Sequence, residues 1–365
     1  GGAERFALEL ACALRGQAEV SLCAFWQRGG ELETTWLETG RAAGLEIFFA
    51  ARWQGRWNLT AYRSGLAALI EWCRRRQPDL IHSHFQAGTL AALDLKRRGL
   101  CRAALRTAHI TREWGSGPLP WLLRGLWNGL AFPLLLSGES GVSPAICRGL
   151  DARISARLAG RKALLLANAL PRLEPLGLPS PTLDPAHTWV GGAGRLCEQK
   201  DPLTLLRAFA LLAERRPELR LAWAGDGPLR PALLAEARRL GIAEKIALVG
   251  ALPGLGDYLR QLRVFGLPSR YEGLPTVLLE AAEHGLPAAA SDIPGTRELA
   301  AAGFDLRLCP PGDPPALAAA IEAALTSQPP ARRADLSAFR FERAAQQCLD
   351  WYQQILGGNG PNAAG

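Results

Sequence analysis

Twice along this chain, short apolar runs alternate with amphipathic helical spacing, a pattern that calls for parallel strands wrapped by helices. Residues 4–15 put Phe6, Leu10 and Leu14 on one helical face, and residues 20–25 read as the strand that follows. The spacing then predicts a helix over 62–76, ended by the Gln77-Pro78 break, a strand over 80–83, a helix over 88–98 and a strand over 103–108. Further apolar segments fall at 131–141 and 163–167. Between Pro171 and His187 there are five prolines (Pro171, Pro175, Pro179, Pro181, Pro185) and little periodicity, which reads as an extended linker. Beyond it the alternation resumes, with strands expected at 188–191, 220–224, 246–248, 264–267 and 287–290. Helices are expected at 201–214, 229–240, 256–263, 276–283 and 315–325. A last helix, over 341–356, carries an apolar stripe of Phe341, Ala344, Cys348, Trp351 and Leu356 that has to be buried.

A chain of 365 residues is too long for one ordinary core and suits two domains of roughly 150 residues or more. The expected fold class is therefore α/β, with two doubly wound Rossmann-like domains facing a central cleft. Domain boundaries are expected near 175 and 340, with a disordered Gly, Asn and Ala-rich tail over 358–365. Nearly half the residues are apolar and about a fifth charged, the balance of a globular enzyme and not of a disordered or fibrous chain. The eight cysteines are scattered without a C-x-x-C pair, which argues against a zinc ribbon or a disulfide framework and fits buried thiols in a reducing cytoplasm. No run reaches the length of a membrane span, since the best candidate, 119–136, is broken by Arg124 and Asn128.

Charge is uneven. Up to residue 180 there are 23 Lys and Arg against 14 Asp and Glu, a net of +9, and the remainder has 19 against 20, a net of −1. The cations are mostly arginines set singly on helices, without the aromatic interleaving of nucleic-acid binders. The two readings are an anionic membrane surface or acceptor and a plain solvated face; the segment from Trp114 to Trp127 suits either docking on such a membrane or a buried core helix.

Two stretches carry chemistry. The run from Pro268 to Glu280, PSRYEGLPTVLLE, sets Glu272 in a loop and Glu280 in the following helix, whose start is Gly273, Leu274, Pro275 and Thr276. Unpaired N–H groups and the macrodipole at such a start favour an anion such as a diphosphate. A carboxylate inside the helix can accept two ribose hydroxyls, and one in the loop can reach a sugar ring beyond the phosphates. The competing account is a helix cap beside a solvated glutamate. The second stretch, Gly194-Arg195-Leu196 with Lys200-Asp201, follows a strand and sets two cations at a helix start, either to neutralise a diphosphate or to form surface salt bridges. Asp201 is a plausible N-cap there. A weaker signal is Ala224-Gly225-Asp226-Gly227-Pro228, a glycine-rich turn after a strand.

Together these residues resemble the retaining glycosyltransferases of the GT-B, family 4 type, also called glycosyl transferases group 1, over nearly the whole chain. The resemblance implies a nucleotide-diphosphate sugar such as a UDP-sugar, with Glu280 on the ribose, Glu272 on the transferred sugar, and Arg195 and Lys200 on the diphosphate. It also implies that Gly1-Gly2-Ala3, with Gly2 near the phosphates, is the family's glycine-rich loop, and that the last helix, 341–357, crosses back to the first domain. The runs Ile81-His82-Ser83-His84 and Thr107-Ala108-His109 look like its histidine-bearing strand ends, with His109 the candidate to face the sugar; an ordinary strand-end histidine is the alternative.

The family's first strand is missing ahead of Gly1, and with no methionine in the chain this reads as a fragment. Arg263 stands where the family commonly has Asp, Ala288–Ala290 replaces a valine-rich strand, and Asp305-Leu306-Arg307 replaces a small-residue turn. The implied reaction moves a hexose-type sugar to a hydroxyl of a lipid-linked or cell-envelope glycan, needing no metal because no D-x-D pair is present. The expected place is the cytoplasm or the cytoplasmic membrane face, with no nucleic acid as partner. A nucleotide-sugar epimerase or phosphorylase on the same architecture and a non-catalytic nucleotide-sugar-binding module are the rival readings. A nicotinamide dehydrogenase is disfavoured because no G-x-G-x-x-G follows a strand.

Overall fold

Parallel strand pairing organises both halves of the chain. The computed structural model describes residues 2–53, 55, 58–110, 125–172, 181–327 and 334–357. Two compact units divide the chain, one made of Gly2–Arg172 with Arg340 onward, the other of Leu173–Phe339, slightly ahead of the expected boundaries. The expected linker segment 173–180, the tail 358–365 and most of the Trp114 to Trp127 segment lie outside the described residues.

The first unit begins with α1 (Gly2–Leu14), β1 (Ser21–Gln27), α2 (Glu31–Ala42), β2 (Glu46–Arg52), α3 (Leu59–Arg76), β3 (Leu80–Ser83), α4 (Gln86–Arg97) and β4 (Ala103–Ala108). A π-helical turn (Trp127–Ala131) then runs into α5 (Phe132–Leu135), followed by β5 (Gly138–Gly141), α6 (Pro144–Asp151), α7 (Ile154–Leu158) and β6 (Leu164–Leu165). Its strands form two parallel sheets, β1–β2 and β3–β4–β5–β6. Asn58 caps α3 by accepting from the Thr60 and Ala61 N–H groups, and α3 stops at Gln77, whose φ of 48° ends the helix ahead of Pro78.

The second unit runs β7 (Thr188–Ala193), α8 (Pro202–Ala213), β8 (Leu219–Ala224), α9 (Arg230–Arg239), β9 (Ile246–Gly250), α10 (Gly256–Arg260) and β10 (Val264–Leu267). It continues through α11 (Thr276–Glu283), β11 (Ala288–Ser291), α12 (Pro294–Ala301), β12 (Leu306–Cys309) and α13 (Pro314–Thr326). All six strands are parallel, in the order β12-β11-β10-β7-β8-β9, so the winding reverses between β7 and β10. Val190, Trp223, Leu205, Phe209, Leu317 and Ile321 sit in one core where α8 and α13 pack on a face of this sheet. Where the family has a small-residue turn, Leu306 and Arg307 lie in β12, a strand not expected from the sequence, paired with Ala288 and Ala289. At four residues, β12 is too short for a period to stand out in the sequence.

The final helix, α14 (Phe341–Leu356), rejoins the first unit. Its stripe is buried against α1, with Phe341, Ala344, Ala345 and Cys348 sharing a cluster with Phe6, Leu10 and Leu14.

Candidate active site

In an open parallel sheet the strand-order reversal leaves a crevice at the carboxyl ends of the two central strands. In the second unit those strands are β7 and β10, and the loops that leave them are the two stretches singled out in the sequence. Gly194, Arg195 and Lys200 lie between β7 and α8, and Glu272 to Thr276 lie between β10 and α11.

The two loops are laced together. Arg270 N–H donates to the Gln199 carbonyl (2.8 Å), Gln199 Nε2 donates to the Tyr271 carbonyl (3.1 Å), and Lys200 Nζ donates to Glu272 Oε1 (2.5 Å). The Glu272 side chain is only 8% exposed and that of Lys200 21%. A carboxylate held this far from water needs a cation, and Lys200 is that cation. Arg195 is exposed on the same loop, and among the described residues its guanidinium makes no ion pair.

Asp201 departs from its expected role as N-cap. Its backbone is left-handed (φ 44°), whereas a capping residue is extended, so its side chain makes no cap hydrogen bond to α8. Instead Arg270 Nε sits 3.0 Å from Asp201 Oδ2, as an ion pair without hydrogen-bond geometry. Pro275 immediately precedes α11 and takes the N-cap position in place of the first helical one. The N–H groups of Thr276 and Val277 open that helix and have no partner within it. Glu280 is half-buried one turn into α11, and Gly273 and Leu274 are buried in the loop before it.

Glycines set how closely these loops approach. Gly194 has φ 134°, and a Cβ there would lie 3.0 Å from Lys200 Cε; Gly225 has φ 135°, and its Cβ would meet the Gly194 carbonyl oxygen at 2.1 Å. The Gly225 turn therefore works as a buttress. Gly194 N–H donates to the Ala224 carbonyl (2.8 Å), and Trp223 Nε1 donates to the Gly194 carbonyl (2.8 Å). Three contributors were missed in the sequence. Gln199 and Arg270 join the two loops, and a Cβ on Gly295 at the start of α12 would lie 2.2 Å from the Gly273 carbonyl oxygen. Only the position of Arg270 two residues before Glu272 offered any signal.

Gly2 and His109 belong to the other unit. Gly2 opens α1, and His109 follows β4 with its Nε2 3.1 Å from His84 Nδ1. His82 is held between the Tyr352 hydroxyl (2.6 Å from Nδ1) and Thr107 Oγ1 (2.7 Å from Nε2), and Thr107 in turn contacts Ser140 Oγ (2.7 Å). Desolvation holds all three imidazoles neutral, with His84 lowered to about 4 and His82 and His109 well below the usual range; neighbouring cationic character lowers those two further. Among the described residues no cluster of His, Cys, Asp or Glu is arranged to hold a metal.

A pair of Rossmann-like units is the GT-B fold of glycosyltransferases. Residues 187–327 match the family model described as Glycosyl transferases group 1, and residues 1–136 match Glycosyltransferase Family 4. The chain belongs to this GT-B, family 4 type of glycosyltransferase.

Among relatives, it is 39% identical over 113 residues to the Vi polysaccharide biosynthesis protein VipC/TviE of Salmonella typhi, covering 31% of this chain and 20% of the relative. It is 33% identical over 115 residues to the UDP-Gal:alpha-D-GlcNAc-diphosphoundecaprenol alpha-1,3-galactosyltransferase of Escherichia coli, covering 31% of this chain and 30% of the relative. The matched parts thus span less than a third of these relatives' own length. Anabaena Alr3699/HepE, solved with UDP and glucose, superposes with a TM-score of 0.67 at 17% identity, covering 100% of this chain and 95% of that one, a likeness of fold.

Proposed function

We propose that this chain is a retaining transferase that moves a hexose-type sugar from a nucleotide-diphosphate sugar, a UDP-sugar foremost, to a hydroxyl of a lipid-linked or cell-envelope glycan. The observation that carries this reading is the Lys200–Glu272 pair at the β7/β10 reversal, beside the open N-terminus of α11. It is supported by relatives named for polysaccharide synthesis and for a UDP-Gal donor with a diphosphoundecaprenol acceptor, and by a fold neighbour solved with UDP and glucose.

In this reading the diphosphate lies against the first N–H groups of α11, with Arg195 and Lys200 on its oxygens. Glu280 accepts from the ribose hydroxyls, and Glu272 from the hydroxyls of the sugar ring. Charge grows on the diphosphate as the glycosidic bond stretches, so contacts that strengthen there lower the barrier, each by about 3 kcal/mol. These groups supply the positive charge that a divalent cation would otherwise bring, so turnover is expected to survive a chelator. Attack by the acceptor hydroxyl from the face the diphosphate leaves retains the anomeric configuration. His109, neutral and half-buried, is the side chain of the first unit proposed to hydrogen-bond the sugar. The acceptor chemistry and the basic first half suit a peripheral protein of the cytoplasmic membrane face.

Calorimetric titration of uridine, guanosine and adenosine diphosphate sugars into the full chain tests the donor site, with Glu280→Ala and Arg195→Ala alongside. One donor is expected to bind, and both variants to weaken it by about ten-fold or more. Folded protein that binds none of the panel at millimolar concentration would overturn the donor-site assignment.

A further inference from the structure

Ten large apolar side chains are exposed among the described residues, and six of them lie on two short helices of the first unit. Leu126, Leu130, Leu134 and Leu135 are about half exposed along the helical stretch 125–135, while Ile154 is 75% and Leu158 84% exposed on α7. The two helices are in contact: Ser155 Oγ donates to the Gly129 carbonyl, and Arg153 Nη1 donates to the Asn128 carbonyl at 2.7 Å. Their outward apolar residues therefore belong to one surface.

The polarity of α7 is the reverse of a water-facing helix. Ser155 and Ala156 are turned inward and Ile154 and Leu158 outward, although the spacing would allow the opposite arrangement. The stretch over 125–135 is apolar on both sides, with Phe132 and Pro133 buried beneath the exposed leucines. An apolar surface of this kind on a folded protein marks a site of association.

Charge identifies the partner. Arg157 and Lys162 are exposed on or just beyond α7, Arg161 donates to the Leu136 carbonyl, and Lys96 Nζ donates to the Leu135 carbonyl at 3.0 Å, so cations rim the apolar surface. The two carboxylates in the same part of the chain are turned away: Glu139 is buried in an ion pair with Arg153, and Asp151 accepts from the Ala163 N–H. Outward aliphatic residues ringed by lysine and arginine, with no exposed acid among them, match the acyl boundary and headgroups of an anionic bilayer. No helix of the described residues is long and apolar enough to cross a membrane, so the contact is one of docking.

We propose that the surface formed by residues 125–135 and α7, with Ile154 and Leu158 at its tip, docks the protein on an anionic phospholipid bilayer. This rests on the proposed membrane-face acceptor reaction and assigns a surface to it that is separate from the donor site. The test is flotation of the full chain with phosphatidylcholine vesicles, with and without phosphatidylglycerol, for the wild type, Ile154→Asp/Leu158→Asp and Arg157→Glu/Lys162→Glu. Melting temperature, oligomeric state and nucleotide-sugar binding are measured in parallel.

The wild type is expected to float only with the anionic vesicles and to be released by salt. Each double variant should partition about ten-fold less or weaker still, with melting temperature and donor binding unchanged. Equal flotation of wild type and variants would overturn the surface while leaving membrane attachment standing. A wild type that never floats would overturn it too, as would an aspartate variant that breaks a dimer or melts several degrees lower, since the surface would then be covered by a second copy or by the chain itself. Donor binding reports separately on the transferase reading.

Discussion

Glu272 and Lys200 neutralise each other, so on the proposed reading a diphosphate arriving at Lys200 has to compete with a carboxylate only 8% exposed. On the same reading a full nucleotide-sugar would compensate, because its hydroxyls would become the new partners of Glu272. A bare nucleoside diphosphate would not. Glu272→Gln is therefore expected to act in opposite directions on the two ligands. The glutamine removes the competing charge, so calorimetry should show the free nucleoside diphosphate binding several-fold tighter, about 1 kcal/mol for a partly exposed pair. Turnover with the nucleotide-sugar should fall about a hundred-fold, as expected for the loss of one transition-state contact. If the diphosphate bound no better to the variant, the ion pair would not be what it displaces. The sequence made Arg195, Lys200, Glu272 and Glu280 legible, because short spacings put each on a loop or helix start. It did not expose Gln199 or Arg270, whose roles exist only where the β7 and β10 loops touch across some seventy residues of chain, or Gly295, which meets the β10 loop from the start of α12. Asp201 fails as a cap for the same reason: its left-handed backbone and the nearby Arg270 belong to that tertiary contact.

Strands β3, β4 and β10 and helices α11 and α14 are legible because each is a clean apolar run or stripe bounded by a proline, a glycine or a change in period. Helix α2 carries no such signal, since it mixes Thr, Glu and Trp; strand β2 does contain an apolar run, 47–51, and was missed because no amphipathic helix pattern of this kind leads into it. The strand ends that are legible, β3 and β4, bring His82, His84 and His109 together, and this makes a prediction at the level of the element. Folding strips water from the imidazoles, so the native state resists protons that the unfolded chain, with histidines near 6.5, accepts. With the folded pKa values depressed, stability is fully present above about pH 6.5 and is lost as the pH falls toward about 4, the value of His84. After discounting for its partial exposure, His84 alone should account for about 1–2 kcal/mol between pH 6.5 and 5. Melting temperature measured across that window should decline less steeply in His84→Asn than in the wild type. Parallel slopes would show that His84 carries no such shift.

The division of the chain into units with separate cores governs how the whole molecule responds to ligand and to damage. The second unit is continuous in sequence, whereas the first is closed only when α14 lays Phe341 and Cys348 on α1. Separate cores predict separable unfolding transitions in calorimetry, each answering to its own perturbation. A nucleotide-sugar at a hundred times its dissociation constant adds about 2.7 kcal/mol to the unit that binds it and should raise that transition by about 5–10 °C. Gly225→Ala should lower the same transition, because φ of 135° disfavours any Cβ and the new methyl would press on the Gly194 carbonyl oxygen. Trp351→Ala should instead lower the other, by about 3–5 kcal/mol, since Trp351 is 7% exposed and packs directly against Gly138 of β5. A single transition that moves equally under all three perturbations would mean that the two cores unfold as one, and the donor site would then feel every weakening of the α14 packing.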